Sequence, residues 1–198
     1  TLDKLFDAIK EVKDEIHIPM VFMTYANVVF SYGIERFCKR VAEVGMDGMI
    51  LPDVPFEEKE EFASVAEKYG LDLISLIAPT SHERISMIAK EAEGFLYCVS
   101  SIGVTGTRSE FTTDFVYCVS SLGVTGMRSQ ITTDIGAMVE LVKAQKDIPC
   151  AVGFGISTPE QAKKMAVQAD GVIVGSAIVK LCETHGADCV PYIKEYVK

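Results

Sequence analysis

The chain has 198 residues, a net charge of −9 from 28 acidic against 19 basic residues, and 48% hydrophobic content with only 7 Pro and 15 Gly. That composition supports a sizeable core within a single domain spanning residues 1–198 and excludes a disordered or low-complexity chain. The acidic balance disfavours nucleic acid and anionic membranes as partners, so an anionic ligand has to be held locally by backbone amides and helix N-termini.

Helical and strand patterns alternate along the chain. Over 1–16, Leu2, Leu5, Phe6, Ile9 and Val12 share one face of a helix, with Thr1 or Asp3 as its cap. A strand is predicted over 19–25 and a helix over 33–45, then a strand over 47–53 and a helix over 56–70. A strand over 71–79 and a helix over 81–93 come next. At this point the chain repeats itself: 95–114 (FLYCVSSIGVTGTRSEFTTD) and 115–134 (FVYCVSSLGVTGMRSQITTD) agree at 15 of 20 positions. Each copy reads as a short strand, a Gly-containing loop and a Thr-Thr-Asp helix cap. Two units are too few for a solenoid. Beyond the repeat, a helix is predicted over 135–146, a strand over 149–155, a helix over 158–169, a strand over 171–178 and a helical segment from about 187.

Apolar strands separated by amphipathic helices predict an α/β fold with a parallel sheet covered by helices. The pattern alone leaves a closed barrel and an open sheet equally available. Asp53, Pro79, Ser101 or Ser121, Gly153 to Gly155 and Gly175-Ser176 all fall at strand C-terminal ends, where both architectures place ligands. The six cysteines form no CxxC pair and several sit in apolar runs, which favours buried reduced thiols over a disulfide or a metal site. The opening residues lack the basic-then-apolar pattern of a leader, and no apolar run reaches the roughly 18 residues of a membrane span. A cytoplasmic protein is expected.

Two glycine sites are the strongest local signal: GFGIST (153–158) ahead of a helix, and GSAI (175–178) ahead of a short helical turn. Glycine lets backbone N–H groups come close to a phosphate, and a helix N-terminus adds partial positive charge. Tight turns alone would also explain either site; two sites on successive units favour phosphate.

The run MTYANVVFSYG (23–33), followed by LPDVPFEE (51–58), SSLGVTG (120–126), GFGISTPEQ (153–161) and GSAIVK (175–180), resembles the α subunits of tryptophan synthases in order, spacing and wording. The resemblance spans the whole chain apart from the extra repeat copy. It implies a TIM (β/α)8-type barrel that cleaves indole-3-glycerol phosphate to indole and glyceraldehyde 3-phosphate. It also implies a β-subunit partner that carries pyridoxal phosphate, this chain needing no cofactor or metal of its own. By that resemblance the phosphate cup comprises Gly126 or Gly106, Gly153, Phe154, Gly155, Gly175 and Ser176. Tyr117 or Tyr97 lines the indole pocket, and Thr125 or Thr105 is the loop threonine that closes over the substrate. Tyr25, Asn27, Phe30, Asp53 and Pro55 fall in loops that face the β subunit.

The departures from the family are large. A barrel of this kind runs to about 250 residues, and removing one repeat copy leaves 178 here. The family's first βαβ segment, with its catalytic glutamate and aspartate, has no matching position in these residues. The barrel is therefore expected to be incomplete and the chain inactive as a lyase, since each positioned acid or base is worth about 10² to 10⁴ in rate. Asp53 is the best-placed remaining carboxylate, and a structural or interface role fits it better than a catalytic one. Glu57, Glu58, Glu60 and Glu61 belong to a solvated helix face, and His17, His82 and His185 carry no assigned chemistry. Arg108 and Arg128 could steer an anion, though a solvated loop is the plainer reading, and Ser100-Ser101 and Ser120-Ser121 lack a base for nucleophilic catalysis. The other reading is a non-catalytic scaffold that binds a β subunit or another copy of itself through exposed sheet edges. Of the two repeat copies, the second is expected in the sheet, because Thr133-Asp134 precedes a helix whereas Thr113-Asp114 runs into a strand.

Overall fold

The computed structural model describes residues 1–79, 81–99, 134–153, 156 and 158–197. They form two compact units, one made of Thr1–Leu76 with Glu91–Phe95, the other of Ile77–Lys90 with the described residues from Leu96 onward.

The first unit opens on α1 (Leu2–Val12), whose N-terminus is capped by the Thr1 hydroxyl accepting from Lys4 N at 3.5 Å. A 3-10 turn (Lys13–Glu15) follows. The apolar face of α1 buries Phe6 completely against β1 (Val21–Met23) and α3 (Ile34–Glu43). Phe6 meets Phe22 at 5.3 Å and Phe37 at 5.8 Å between ring centroids, both edge-on, the geometry the ring quadrupoles favour. Between β1 and α3 lies α2 (Ala26–Tyr32), a helix the sequence pattern had not indicated. Gly33, at φ 91°, joins α2 to α3 in a conformation that L side chains avoid. After α3 come β2 (Gly48–Ile50), a 3-10 turn (Phe56–Glu58), α4 (Glu60–Lys68) and β3 (Asp72–Ile77).

The three strands are parallel and in register, with Val21 beside Gly48 and Gly48 beside Asp72. Gly48 is required at its position: a Cβ there would stand 2.4 Å from the Asp72 carbonyl oxygen. All three residues of β2 are buried, as the centre of a parallel sheet demands.

The second unit has α5 (His82–Glu91), β4 (Leu96–Val99), α6 (Ile135–Lys143), β5 (Cys150–Gly153), α7 (Pro159–Ala166), β6 (Gly171–Val172), α8 (Ser176–His185), a 3-10 turn (Gly186–Asp188) and α9 (Val190–Tyr196). β5 is parallel to β4 on one edge, Leu96 beside Cys150, and to β6 on the other, Ala151 beside Gly171. α6 buries Ile135, Met138, Val139 and Val142.

The two sheets share a device at their strand starts. Asp47 donates its backbone N–H to Met20 O at 2.8 Å and accepts from Met20 N through Oδ2 at 2.7 Å. Asp170 treats Cys150 the same way, at 2.9 Å and 2.8 Å. Each Asp-Gly pair opens its strand by clamping both backbone groups of the residue that leads into, or begins, the preceding strand.

Several expectations change. The strands are shorter than the apolar runs that predicted them. The run from 171 to 178 is strand only over 171–172, and α8 begins at Ser176 as a ten-residue helix in place of a short turn. A continuous apolar run does not distinguish strand from buried helix, so that boundary was invisible. The first repeat copy, not the second, supplies the strand beside Cys150–Gly153. β5 has β4 on one edge and β6 on the other, and 115–121 lie outside the described residues. The reason is connection length. Four residues, 92–95, with Gly94 at φ 63°, carry the chain from α5 to β4. Short connections suit that end of a βα unit, and long insertions suit the opposite, ligand-binding end. The second copy still contributes the start of α6, where Asp134 Oδ1 accepts from Ala137 N at 3.0 Å. The seventh predicted strand, near 115, is therefore not among the six described.

Candidate functional site

In the second unit the strand ends carry the predicted site residues. Tyr97, on β4, is 4% exposed, and its ring lies over Gly153 of β5: a Cβ on Gly153 would sit 2.2 Å from the Tyr97 hydroxyl oxygen and 2.3 Å from Cε2. Burial pushes the Tyr97 phenol up to about 12, so it is a neutral hydroxyl at physiological pH. The absent side chain at Gly153 thus makes room for the tyrosine, a role the glycine pattern did not reveal.

On the same two strands Cys98 and Cys150 are both buried, near enough for each thiol to perturb the other. The shared hydrogen bond, with burial second, drives Cys98 upward, and the same bond draws Cys150 down, with Lys143 assisting. Lys143 Nζ reaches Asp170 Oδ2 at 3.0 Å. The Cys150 backbone bond and then Lys143 hold the Asp170 carboxyl below the usual carboxylate range. This Lys–Asp–backbone cluster was missed in the sequence; the Asp-Gly pairs that begin β2 and β6 are the signal that could have found it.

Two helix N-termini follow, and they differ. α7 is closed by a capping box in which Thr158 Oγ1 accepts from Gln161 N at 3.2 Å and Gln161 Oε1 accepts from Thr158 N at 3.2 Å. α8 begins at Ser176 with Gly175 as its N-cap and no side-chain cap. Gly175 is exposed, and an added Cβ would meet nothing within 4 Å among the described residues. The leading amides of α8, which no intrahelical carbonyl satisfies, begin at an exposed, uncapped position.

The residues expected to face a partner lie in the first unit, and all five are exposed, Tyr25 at 37% and Phe30 at 47%. Asn27 and Phe30 are on α2 and not in a loop, which corrects the expectation. Phe30 is braced by Phe62 at 5.0 Å between ring centroids. Asp53 caps α2 from 27 residues away: Ala26 N donates to its Oδ1 at 3.0 Å and to its Oδ2 at 3.1 Å. That is a structural role, one of the two expected for it beside an interface role, and the local sequence around α2 held no sign of it. Tyr117, Thr105, Gly106, Thr125, Gly126, Phe154 and Gly155 lie outside the described residues.

A family model described as tryptophan synthase alpha chain matches residues 1–114 and again 110–195. The chain belongs to the tryptophan synthase alpha chain family. The first match ends with the first repeat copy and the second starts just before the second copy, so the family pattern meets the duplicated segment twice. The tryptophan synthase alpha chain of Lacticaseibacillus casei is 43% identical over 194 residues, 98% of this chain and 65% of that protein. That of Shouchella clausii is 45% identical over 181 residues, 91% of this chain and 60% of that protein. Among solved structures, the tryptophan synthase subunit alpha from Campylobacter jejuni superposes with a TM-score of 0.78 at 31% identity, over 99% of this chain and 71% of that one. A tryptophan synthase complex from Pyrococcus furiosus gives 0.77 at 26% identity, over 100% and 72%. The fold is therefore the α/β barrel type of this lyase family. The chain spans about three-fifths of the length of the curated relatives it matches.

Proposed function

We propose that the chain is a tryptophan synthase alpha-type subunit that binds the sugar-phosphate end of indole-3-glycerol phosphate, the compound cleaved to indole and glyceraldehyde 3-phosphate in tryptophan biosynthesis. The observation that carries this reading is the start of α8, where Gly175 leaves open space among the described residues and, as N-cap, supplies no side-chain cap. A phosphate there gains the leading N–H groups of the helix, which have no intrahelical carbonyl, and the positive end of the helix dipole. Tyr97 supplies a neutral, buried phenol in the same unit, suited to an uncharged aromatic ring.

Cleavage requires the family's glutamate and aspartate, for which none of these 198 residues is a match, so these residues alone bind and do not turn over. The chain itself uses no cofactor; pyridoxal phosphate belongs to the β subunit. The exposed Tyr25, Asn27, Phe30, Asp53 and Pro55 are the face offered to that subunit, in the cytoplasm. No helix among the described residues is long and apolar enough to cross a membrane.

Thermal unfolding with increasing glycerol 3-phosphate tests the reading. A midpoint that keeps rising with the logarithm of ligand concentration, a stabilisation of about 2.7 kcal/mol at a hundredfold excess over Kd, with no indole released from indole-3-glycerol phosphate, is the expected result. A midpoint indifferent to the ligand would remove it.

One observation favours the alternative of a self-associating scaffold. Among the described residues β1 pairs only with β2, and Ile18 just before it and Met23 within it are 70% and 47% exposed. An open, apolar strand edge invites another chain. Sedimentation at increasing concentration separates the two readings, since a monomer at all concentrations excludes the scaffold.

A further inference from the structure

The seam between α8 and α9 holds two successive cross-contacts. The rings of His185 and Tyr192 stack at 3.6 Å with 8° between their planes. Three residues earlier on each side stand Cys182 and Cys189, near enough for one thiol to perturb the other. Cys182 is exposed and Cys189 half-buried, and both are free thiols. Elsewhere among the described residues the combination does not recur: Cys98 and Cys150 lie on neighbouring strands but are buried, and Cys38 is buried.

We propose that Cys182 and Cys189 are a reversible modification site that forms an internal disulfide by exchange with a small-molecule disulfide such as oxidised glutathione. The Cys182 thiolate attacks one sulfur of the oxidant, giving a mixed disulfide and releasing one glutathione thiolate. The Cys189 thiolate then attacks the Cys182 sulfur, closing the protein disulfide and releasing the second. Two thiols are oxidised, one small disulfide is reduced to two thiols, and two protons leave with the products. The stacked His185 and Tyr192, together with the turn through Gly186 at φ 54°, hold the thiols together beforehand, so the second step is intramolecular. The Cys189 contact, with burial second, keeps the Cys182 proton on beyond its ordinary range, so exchange quickens as pH rises.

Cleavage after Lys180 and Lys194 releases a single peptide, 181–194, holding these two cysteines and no other. After the reduced chain is equilibrated with oxidised glutathione, that peptide is expected to lack two hydrogens, to carry no glutathione, and to revert with dithiothreitol. In denaturing urea the ratio of internal disulfide to glutathione adduct should fall by about tenfold or more, because the effective concentration of one thiol at the other is lost. Cys189→Ser should leave glutathione on Cys182. Glutathione adducts on the native peptide, thiols that stay reduced under conditions that oxidise other cysteines of the chain, or a ratio unchanged in urea would each overturn the proposal.

Discussion

Tyr97 occupies the space that a side chain at Gly153 would need, since a Cβ there would lie 2.2 Å from the phenol oxygen and 2.3 Å from Cε2. The two residues are on adjacent parallel strands, and both are buried. Gly153→Ala should therefore overpack the site at a cost of about 1–3 kcal/mol. Tyr97→Phe in that background should recover little, because the ring carbon clashes as badly as the hydroxyl; Tyr97→Val should recover most of it. Urea unfolding of the four proteins in a double-mutant cycle reads the coupling directly. Additive losses would mean the two side chains do not compete for space.

Asp170 is held below the usual carboxylate range by the Cys150 N–H and then by Lys143. A carboxyl with a depressed folded pKa stabilises above its unfolded value, about 3.9, and loses that contribution as pH falls through the folded pKa. Asp170→Asn should lower the unfolding midpoint at pH 7. The deficit should shrink below about pH 4, as the unfolded carboxyl takes up its proton first, and vanish once pH is below the depressed folded value. The side chain is half exposed, so the effect is modest and screened. A deficit independent of pH would place the contribution in the backbone and not in the charge.

Asp72 carries the opposite sign. Burial first, then the nearby charges of Glu93 and Asp47, raise its carboxyl above the ordinary value. The charged form is therefore a cost to the fold at neutral pH, and that cost disappears as pH falls through the raised folded pKa. Asp72→Asn should raise the midpoint at pH 7, by no more than about 4 °C, and the advantage should vanish in acid. A variant that melts lower at pH 7 would show that a hydrogen bond of Asp72 outweighs its desolvation.

These cases also mark how far the sequence could be read. α1, α3 and α7 announced themselves, because their apolar spacing and the Thr158 cap lie within a few residues of one another. α2 did not: its capping acceptor, Asp53, is 27 residues downstream, and no local pattern carries that information. The two repeat strands differ only at Leu96 against Val116 in their first seven residues, so the choice between them was beyond any reading of side chains. Connection length made it. Gly153 and Gly175 looked alike as glycines near strand ends, and only their neighbours separate a packing glycine from an open one.

Asp53 supplies the cap that α2 lacks in its own sequence, with Tyr25 at the N-cap making no side-chain bond. Asp53→Ala should cost about 1 kcal/mol, the usual worth of an N-cap. Asp53→Ser, too short to span the same distance, should not restore it. Hydrogen exchange localises the effect: faster exchange over 26–32 with the second unit unchanged is expected. Uniformly faster exchange would instead mean that α2 belongs to the global unfolding unit.

Gly175 offers the cleanest separation of stability from binding. Its φ of −111° is open to any L residue, and an added Cβ meets no described atom within 4 Å. Gly175→Ala should therefore change unfolding stability by no more than about 0.5 kcal/mol. Any change should be a slight gain, since alanine narrows the unfolded ensemble. If glycine is there so that a phosphate can approach the start of α8, the same methyl should weaken glycerol 3-phosphate binding by tenfold or so, about 1.4 kcal/mol. Isothermal titration alongside the melt distinguishes the cases. Intact binding would move the phosphate away from α8, whereas a large loss of stability would make Gly175 a turn residue.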